Sequence, residues 1–246
     1  MPKCEAGDEV LPLTDMVMPR RLPVVTIALI VANLAVWLGY EVPHGVESAV
    51  DEIGARACSL NGSCPGDRGL AWPYALFAAM FGHASWAHIV GNMLFLAVFG
   101  PRVEDRLGRV RFLVVYLLAG VGADALFDGT TLAFASARDA AVPGIGASGA
   151  ISGVLAAYVV AHPFERVLVW ALPALFLRVP ALGLLGVWFI LQALEGAYAL
   201  SNPSVTVGTA FMAHVGGFLV GGLAQLAHDG RLGPPLRAVV GGAGRA

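Results

Sequence analysis

The chain has 246 residues, of which 57% are hydrophobic and only 13% charged, with a net charge of −2. A soluble domain carries about twice that charged fraction, so the solvent is lipid. Lys3 is the only lysine among scattered arginines, which excludes a nucleic-acid surface.

A span needs about 20 apolar residues to cross about 30 Å of hydrocarbon. Six spans and their connections account for the chain beyond residue 20. The fold expected is all-α, a polytopic membrane bundle of six transmembrane helices. Residues 1–19 are expected to be a polar, proline-containing cytoplasmic lead without periodicity, residues 20–228 the six-span domain, and residues 229–246 a cytoplasmic tail.

Leu22–Tyr40 is the first span. It follows Met18-Pro19-Arg20-Arg21 but is longer than a signal-peptide core and meets no small-x-small cleavage site before Glu41, so it reads as a retained helix. Glu41–Trp72 is a mixed loop holding Cys58 and Cys64. Pro73–Gly82 is apolar but short and fits the membrane interface. Trp86–Gly100, extending toward Arg106, is span two, and Phe112–Phe127 is span three. Asp128–Gly146 is a loop rich in small residues. Ser148–His162 is a short span four. Leu168–Phe176, broken by Pro173, reads as a re-entrant or interfacial helix, because Arg166 and Arg178 lie too close together to flank a span. Val179–Leu200 is span five and Gly208–Ala227 span six.

The arginines orient this arrangement. With the N-terminus inside, Lys3, Arg20, Arg21, Arg102, Arg106, Arg109, Arg111, Arg166, Arg178, Arg231, Arg237 and Arg245 are cytoplasmic, and only Arg56, Arg68 and Arg138 are outside. That is a strong positive-inside bias and gives N-in, C-in. Spans two, four and six then run from outside to inside. His88, Ser148 and His214 stand near their starts, at one depth toward the outer face.

Those residues fit acyl-transfer chemistry. A serine hydroxyl needs a base within hydrogen-bond reach, commonly histidine. Ser148 opens a helix, where free backbone N–H groups favour developing negative charge. The pairs Gly149/Gly153 and Gly217/Gly221 have the small-xxx-small spacing that lets helices pack closely in lipid. A Ser148–His214 hydrogen bond across two helices needs that approach. His88 and Asn92, four apart, share a helix face and offer N–H donors for an oxyanion hole. Taken singly, a Gly–Ser pair is a packing feature and a histidine near a helix end an interfacial one. His44, His162 and His228 fit that description. The four polar residues at one depth do not, because ionisable groups inside a membrane mark functional sites.

Other intramembrane chemistries lack their residues. There is no His-Glu-x-x-His for zinc, no cysteine spacing for a metal, and Asp124 is the only aspartate expected inside the membrane. No cofactor is expected. A transporter would show internal repeats and polar residues through the midplane, and neither is visible.

The combined motifs resemble the rhomboid family of intramembrane serine proteases over about residues 22–228. The family's Gly-x-Ser-Gly matches Gly146-Ala147-Ser148-Gly149, its His-x-x-x-Asn matches His88 and Asn92, and its Ala-His-x-x-Gly matches Ala213, His214 and Gly217. A Glu-x-x-x-Gly turn matches Glu104 and Gly108. The resemblance implies a Ser148–His214 dyad without a third carboxylate, and an oxyanion hole of His88, Asn92 and the Ser148 backbone N–H. It implies single-span membrane proteins as substrates, within a lipid bilayer; the compact form suggests a bacterial inner membrane. Non-catalytic relatives that bind or escort membrane helices usually lack one member of the dyad, and both are present here. Two departures stand out. The aromatic that stacks on the family's histidine, four residues after the nucleophile, is here Ser152. The Trp-Arg pair of the first outer loop is missing, with only Asp67-Arg68 and Trp72 nearby. Cys58 and Cys64, six apart on the oxidising side, could close a disulfide or stay as free thiols, and Cys4 is expected to be free.

Overall fold

A computed structural model describes residues 11–15, 19–64, 70–172, 175–201 and 211–231. Lys3, Cys4, Asp67, Arg68, the start of the expected span six and the tail beyond Arg231 lie outside the described residues.

A short strand, β1 (Leu11–Asp15), precedes α1 (Val24–Val36), which runs through a π-helical turn at Trp37–Glu41 into α2 (Val42–His44). Short helices follow: α3 (Val46–Ile53), α4 (Ala57–Asn61) and α5 (Trp72–Ala79). The long helices α6 (Trp86–Leu107) and α7 (Arg109–Phe134) come next, then the single turn α8 (Ala137–Ala140) and α9 (Ser148–Ala161). The chain continues through β2 (Arg166–Leu172), β3 (Leu175–Pro180), α10 (Ala181–Ser201) and α11 (Phe211–His228).

Three described helical stretches are long and apolar enough to cross a membrane: Val24–His44, Arg109–Phe134 and Ala181–Tyr198. Their outward faces carry exposed apolar side chains such as Val31, Leu118 and Leu191. α9 is apolar but has only 14 residues. It sits in the centre of the bundle, buried from Gly149 to Tyr158.

The all-α expectation is corrected by a three-stranded antiparallel sheet in the order β1-β2-β3. The described residues of Leu168–Phe176 are strand and not helix. They belong to a hairpin in which Leu168 faces Arg178 and Trp170 faces Phe176. The alternation of Arg166-Val167-Leu168-Val169-Trp170, with Val167 and Val169 buried and Trp170 exposed, has the period of two that suits a half-buried strand. β1 pairs with β2 from the expected lead, Leu11 opposite Trp170, so that lead is not wholly irregular. The loop expected from Asp128 begins later, because α7 continues to Phe134.

Two features lock the helices in place. Gly108, at φ 80°, joins α6 to α7 and donates its N–H to the Glu104 carbonyl. The buried Glu104 carboxylate accepts from the backbone N–H of Val25 and Thr26 at 3.0 and 2.8 Å, and from the Thr26 hydroxyl at 2.8 Å. It thus satisfies the free N–H groups at the start of α1 from across the bundle. Between α3 and α5, Cys58 and Cys64 form a disulfide, with Cα atoms 4.9 Å apart.

Candidate active site

A close helix approach carries the serine and the histidine. α9 and α11 cross through glycine. A Cβ on Gly217 would overlap the carbonyl of Gly149, and one on Gly221 would overlap that of Gly153. A Cβ on Gly153 would lie 3.0 Å from the Gly217 carbonyl oxygen and inside the side chain of Ala119 on α7. Backbone therefore meets backbone along this seam, as small-residue packing allows.

Ser148 is the first residue of α9, and no side chain caps that end. His214, in the opening turn of α11, brings Nε2 to 2.9 Å from Ser148 Oγ. His214 Nδ1 is hydrogen-bonded to Oε1 of Gln192 on α10. The Trp188 ring lies 5.8 Å from the imidazole, tilted by 36°. Trp188 and Gln192 thus flank the ring from α10, while Ser152 turns away to donate its hydroxyl to the Ser148 carbonyl at 2.7 Å.

The opposite wall is the start of α6. Ser85 caps it, accepting from the backbone N–H of His88 at 3.1 Å. The Ala84 backbone N–H points at His88 Nδ1, 3.4 Å away. With Nδ1 serving as acceptor, a neutral His88 carries its proton on Nε2. Gly146, at φ 137°, brings its backbone against that ring edge; a Cβ there would lie 2.9 Å from His88 Nε2 and 3.6 Å from Ser148 Oγ. His88 therefore aims its Nε2 edge at the space beside Ser148. One turn along, the Asn92 amide nitrogen is buried without a hydrogen-bond partner. Leaving such a donor unmade costs about 1–3 kcal/mol, and unmade donors of this kind are what a developing oxyanion requires.

Behind His88 stands His83, fully buried, its ring 5.1 Å from that of His88 and nearly edge-on. Burial, aided by the nearby His88, pushes its imidazole down to about 4, so it stays uncharged. Its backbone N–H donates at 2.7 Å to Glu41, on the π-helical turn. That bond ties the end of α1 to the segment that enters α6.

A cavity of about 40 Å³ lies beside Ser148, walled by Met80, Ala123, Phe127, Gly146 and Gly149, with Asp124 at its edge. It has room for water or a small side chain. Asp128, expected in a loop, lies within α7 one turn after Asp124, and it accepts from the Trp72 indole N–H at 3.2 Å. Among the described residues no group of three His, Cys, Asp or Glu side chains forms a metal cage.

The structure thus gathers Ser148, His214 and His88 around one space, with Asn92 on the same face of α6. Sequence reasoning missed Gln192 and Trp188. The signal was present: Gln192 and Glu195 are polar residues one turn apart on an otherwise apolar helix, and polar groups in such helices are costly unless used.

Comparison with known proteins agrees with the motifs. The model of the Rhomboid domain matches residues 71–228. The chain is 32% identical over 158 residues to Rhomboid-like protein 11, chloroplastic, of Arabidopsis thaliana, covering 61% of this chain and 50% of that protein. It is 31% identical over 144 residues to presenilin-associated rhomboid-like protein A, mitochondrial, of Danio rerio, covering 57% and 34%. The human presenilin-associated rhomboid-like protein, mitochondrial, gives 32% over 162 residues, covering 65% and 38%. The chain thus spans half or less of the length of these relatives. Their names place them in mitochondria and chloroplasts and lend no support to a bacterial inner membrane. This largely helical membrane protein, with its serine, histidines and asparagine on three helices, belongs to the rhomboid family.

Proposed function

We propose that the chain is an intramembrane serine endopeptidase that cleaves single-span membrane proteins. The observation that carries this reading is the 2.9 Å contact between Ser148 Oγ and His214 Nε2 across a seam in which glycine backbones touch. Ser148 Oγ attacks the scissile carbonyl carbon as its proton passes to His214 Nε2. The oxyanion that forms accepts hydrogen bonds from His88 Nε2–H, the Asn92 amide and the Ser148 backbone N–H, near the positive end of α9. Collapse breaks the C–N bond, and the leaving amine takes the proton back from His214. Water, deprotonated by the same imidazole, then hydrolyses the acyl-enzyme and frees Ser148.

In this reading six spans run N-in and C-in, with the site toward the outer face. The arginine distribution supports that orientation. So does the Cys58–Cys64 disulfide, since such bridges persist on an oxidising side. The protease domain is residues 20–228. The alternative, a rhomboid-like escort that binds helices without cutting them, leaves the dyad contact and the unpartnered Asn92 donor without a purpose.

The test is cleavage of a single-span reporter in liposomes, together with covalent labelling by a serine-directed fluorophosphonate. Wild type should cleave and label. Ser148→Ala and His214→Ala should each abolish cleavage, because nucleophile and base act as one unit. Cleavage by purified Ser148→Ala at the wild-type rate would refute the assignment. Reporter binding by wild type without cleavage or labelling would establish the escort.

A further inference from the structure

The dyad mechanism leaves two polar side chains of α10 unused. Gln192 Oε1 is bonded to His214 Nδ1, and the Gln192 amide nitrogen donates to Glu195 Oε2 at 3.3 Å. Glu195 is exposed at the outer end of this line and Ser148 stands at its inner end. The line reads Glu195, Gln192, His214, Ser148.

We propose that Gln192, with its amide held by Glu195, is the positioning residue that fixes the tautomer and angle of His214; this rests on the protease reading above. A side-chain amide can present either its oxygen or its NH₂ group to a neighbour. The Glu195 Oε2 atom accepts from the NH₂, which leaves the amide oxygen for the imidazole. An amide oxygen accepts only, so His214 Nδ1 must carry the proton. Nε2 then has a free lone pair facing Ser148 Oγ–H, which is the tautomer a general base needs. In the Ser-His-Asp arrangement a buried carboxylate does this work and also stabilises the imidazolium. Gln192 supplies orientation without placing a charge against the ring. It takes over, with Trp188, the restraint that the missing aromatic at Ser152 would give.

Among the described residues, the groups facing or near His214 are Ser148 on α9, Gln192 and Trp188 on α10, and His88 on α6. Asp124 on α7 stands at the edge of the cavity beside Ser148. A carboxylate introduced at position 192 would be a new charge against Nδ1–H. It would favour the imidazolium, and the base would be lost to protonation at a higher pH.

The experiment measures fluorophosphonate labelling of Ser148 and reporter cleavage from pH 5 to 9, on the full chain in liposomes. Gln192→Met should lower the labelling rate and kcat roughly 10–100-fold, by analogy with the partners that orient a metal-bound histidine, with KM and Tm unchanged. Gln192→Glu keeps an acceptor and should recover most of the rate, with the acidic limb of the profile moved to higher pH. Glu195→Ala frees the amide to turn and should cost several-fold. Wild-type rates in Gln192→Met, or an unshifted profile in Gln192→Glu, would overturn the proposal. Should Gln192→Met misfold, the Gln192→Glu profile decides alone. If wild type labels no faster than Ser148→Ala, the protease reading itself falls and takes this one with it.

Discussion

α9 and α10 both reach the site, and they are embedded to opposite degrees. α9 is buried at every position from Gly149 to Tyr158. α10 has only 17% of its apolar stretch buried, and Val187, Ile190, Leu191 and Leu194 face outward. The central helix carries Ser148, the proposed nucleophile, and, through its glycine seam with α11, sets how far His214, the proposed base, stands from it. The peripheral helix carries Gln192 and Trp188, the groups that lie against the His214 ring. Distance is therefore built into the part of the fold that cannot yield. Orientation is entrusted to a helix held by a few contacts, among them the stacking of Phe189 on Phe218 at 4.2 Å. Changes in the seam should damage stability and rate together, while changes on α10 should damage rate alone.

The largest effect should come from Gly217→Val. Its side chain would have to occupy the Gly149 carbonyl, so α9 and α11 must separate. Overpacking of this kind costs about 1–3 kcal/mol or more, and the Ser148–His214 contact should go with it. Proteolysis should fall to background and Tm should drop by several degrees. Gly222→Ala is the control, because its Cβ would meet only Ala156, at an ordinary 3.7 Å. An active, fully stable Gly217→Val protein would show that the seam does not set the dyad.

His88→Ala and Asn92→Ala test the wall facing that seam. On the proposed mechanism each removes one transition-state donor and should lower kcat about 10²–10³-fold, with KM little changed. Asn92 sharpens the point, because its amide nitrogen is buried and unpartnered. Deleting it relieves an unmade hydrogen bond, so Asn92→Ala should keep or raise Tm while losing rate. A fall in Tm with kcat intact would make Asn92 a structural residue.

What the sequence disclosed follows the same division. The motif residues were readable because the seam demands particular side chains at particular spacings: glycine where backbones touch, Ser148 at a helix start, His88 and Asn92 one turn apart. The helices α1, α7 and α10 were readable from apolar length. The hairpin was not, because eight apolar residues around Pro173 fit a short helix as well as two strands, and its pairing with β1 depends on residues about 155 positions away. Gln192 was passed over for a related reason. Its partner His214 is 22 residues distant, and helix periodicity carries no record of which neighbour a lipid-facing helix will lean upon. Asp128 was misplaced because Gly129 and two threonines read as the onset of a loop, yet α7 runs through them.

The smallest effect should come from Trp188→Leu. Trp188 touches the imidazole of His214 and also packs 6.4 Å from the Phe218 ring. Aromatic pairs of this geometry contribute about 0.5–1.5 kcal/mol beyond their burial. Leucine keeps an apolar body in the same place but loses the flat face that restrains the ring. The Gln192 hydrogen bond would still fix the tautomer, so the proton would stay on Nδ1 and only the angular spread of the imidazole would grow. The expected outcome is a loss of roughly 2–10-fold in kcat, with Tm and the pH profile unmoved. Combining Trp188→Leu with Gln192→Met separates the two restraints. If they act on the same ring, the double variant should lose more than the product of the single losses, since neither contact remains to hold His214. Losses that simply multiply would mean that Trp188 serves the packing of α10 against α11 and leaves the base to Gln192.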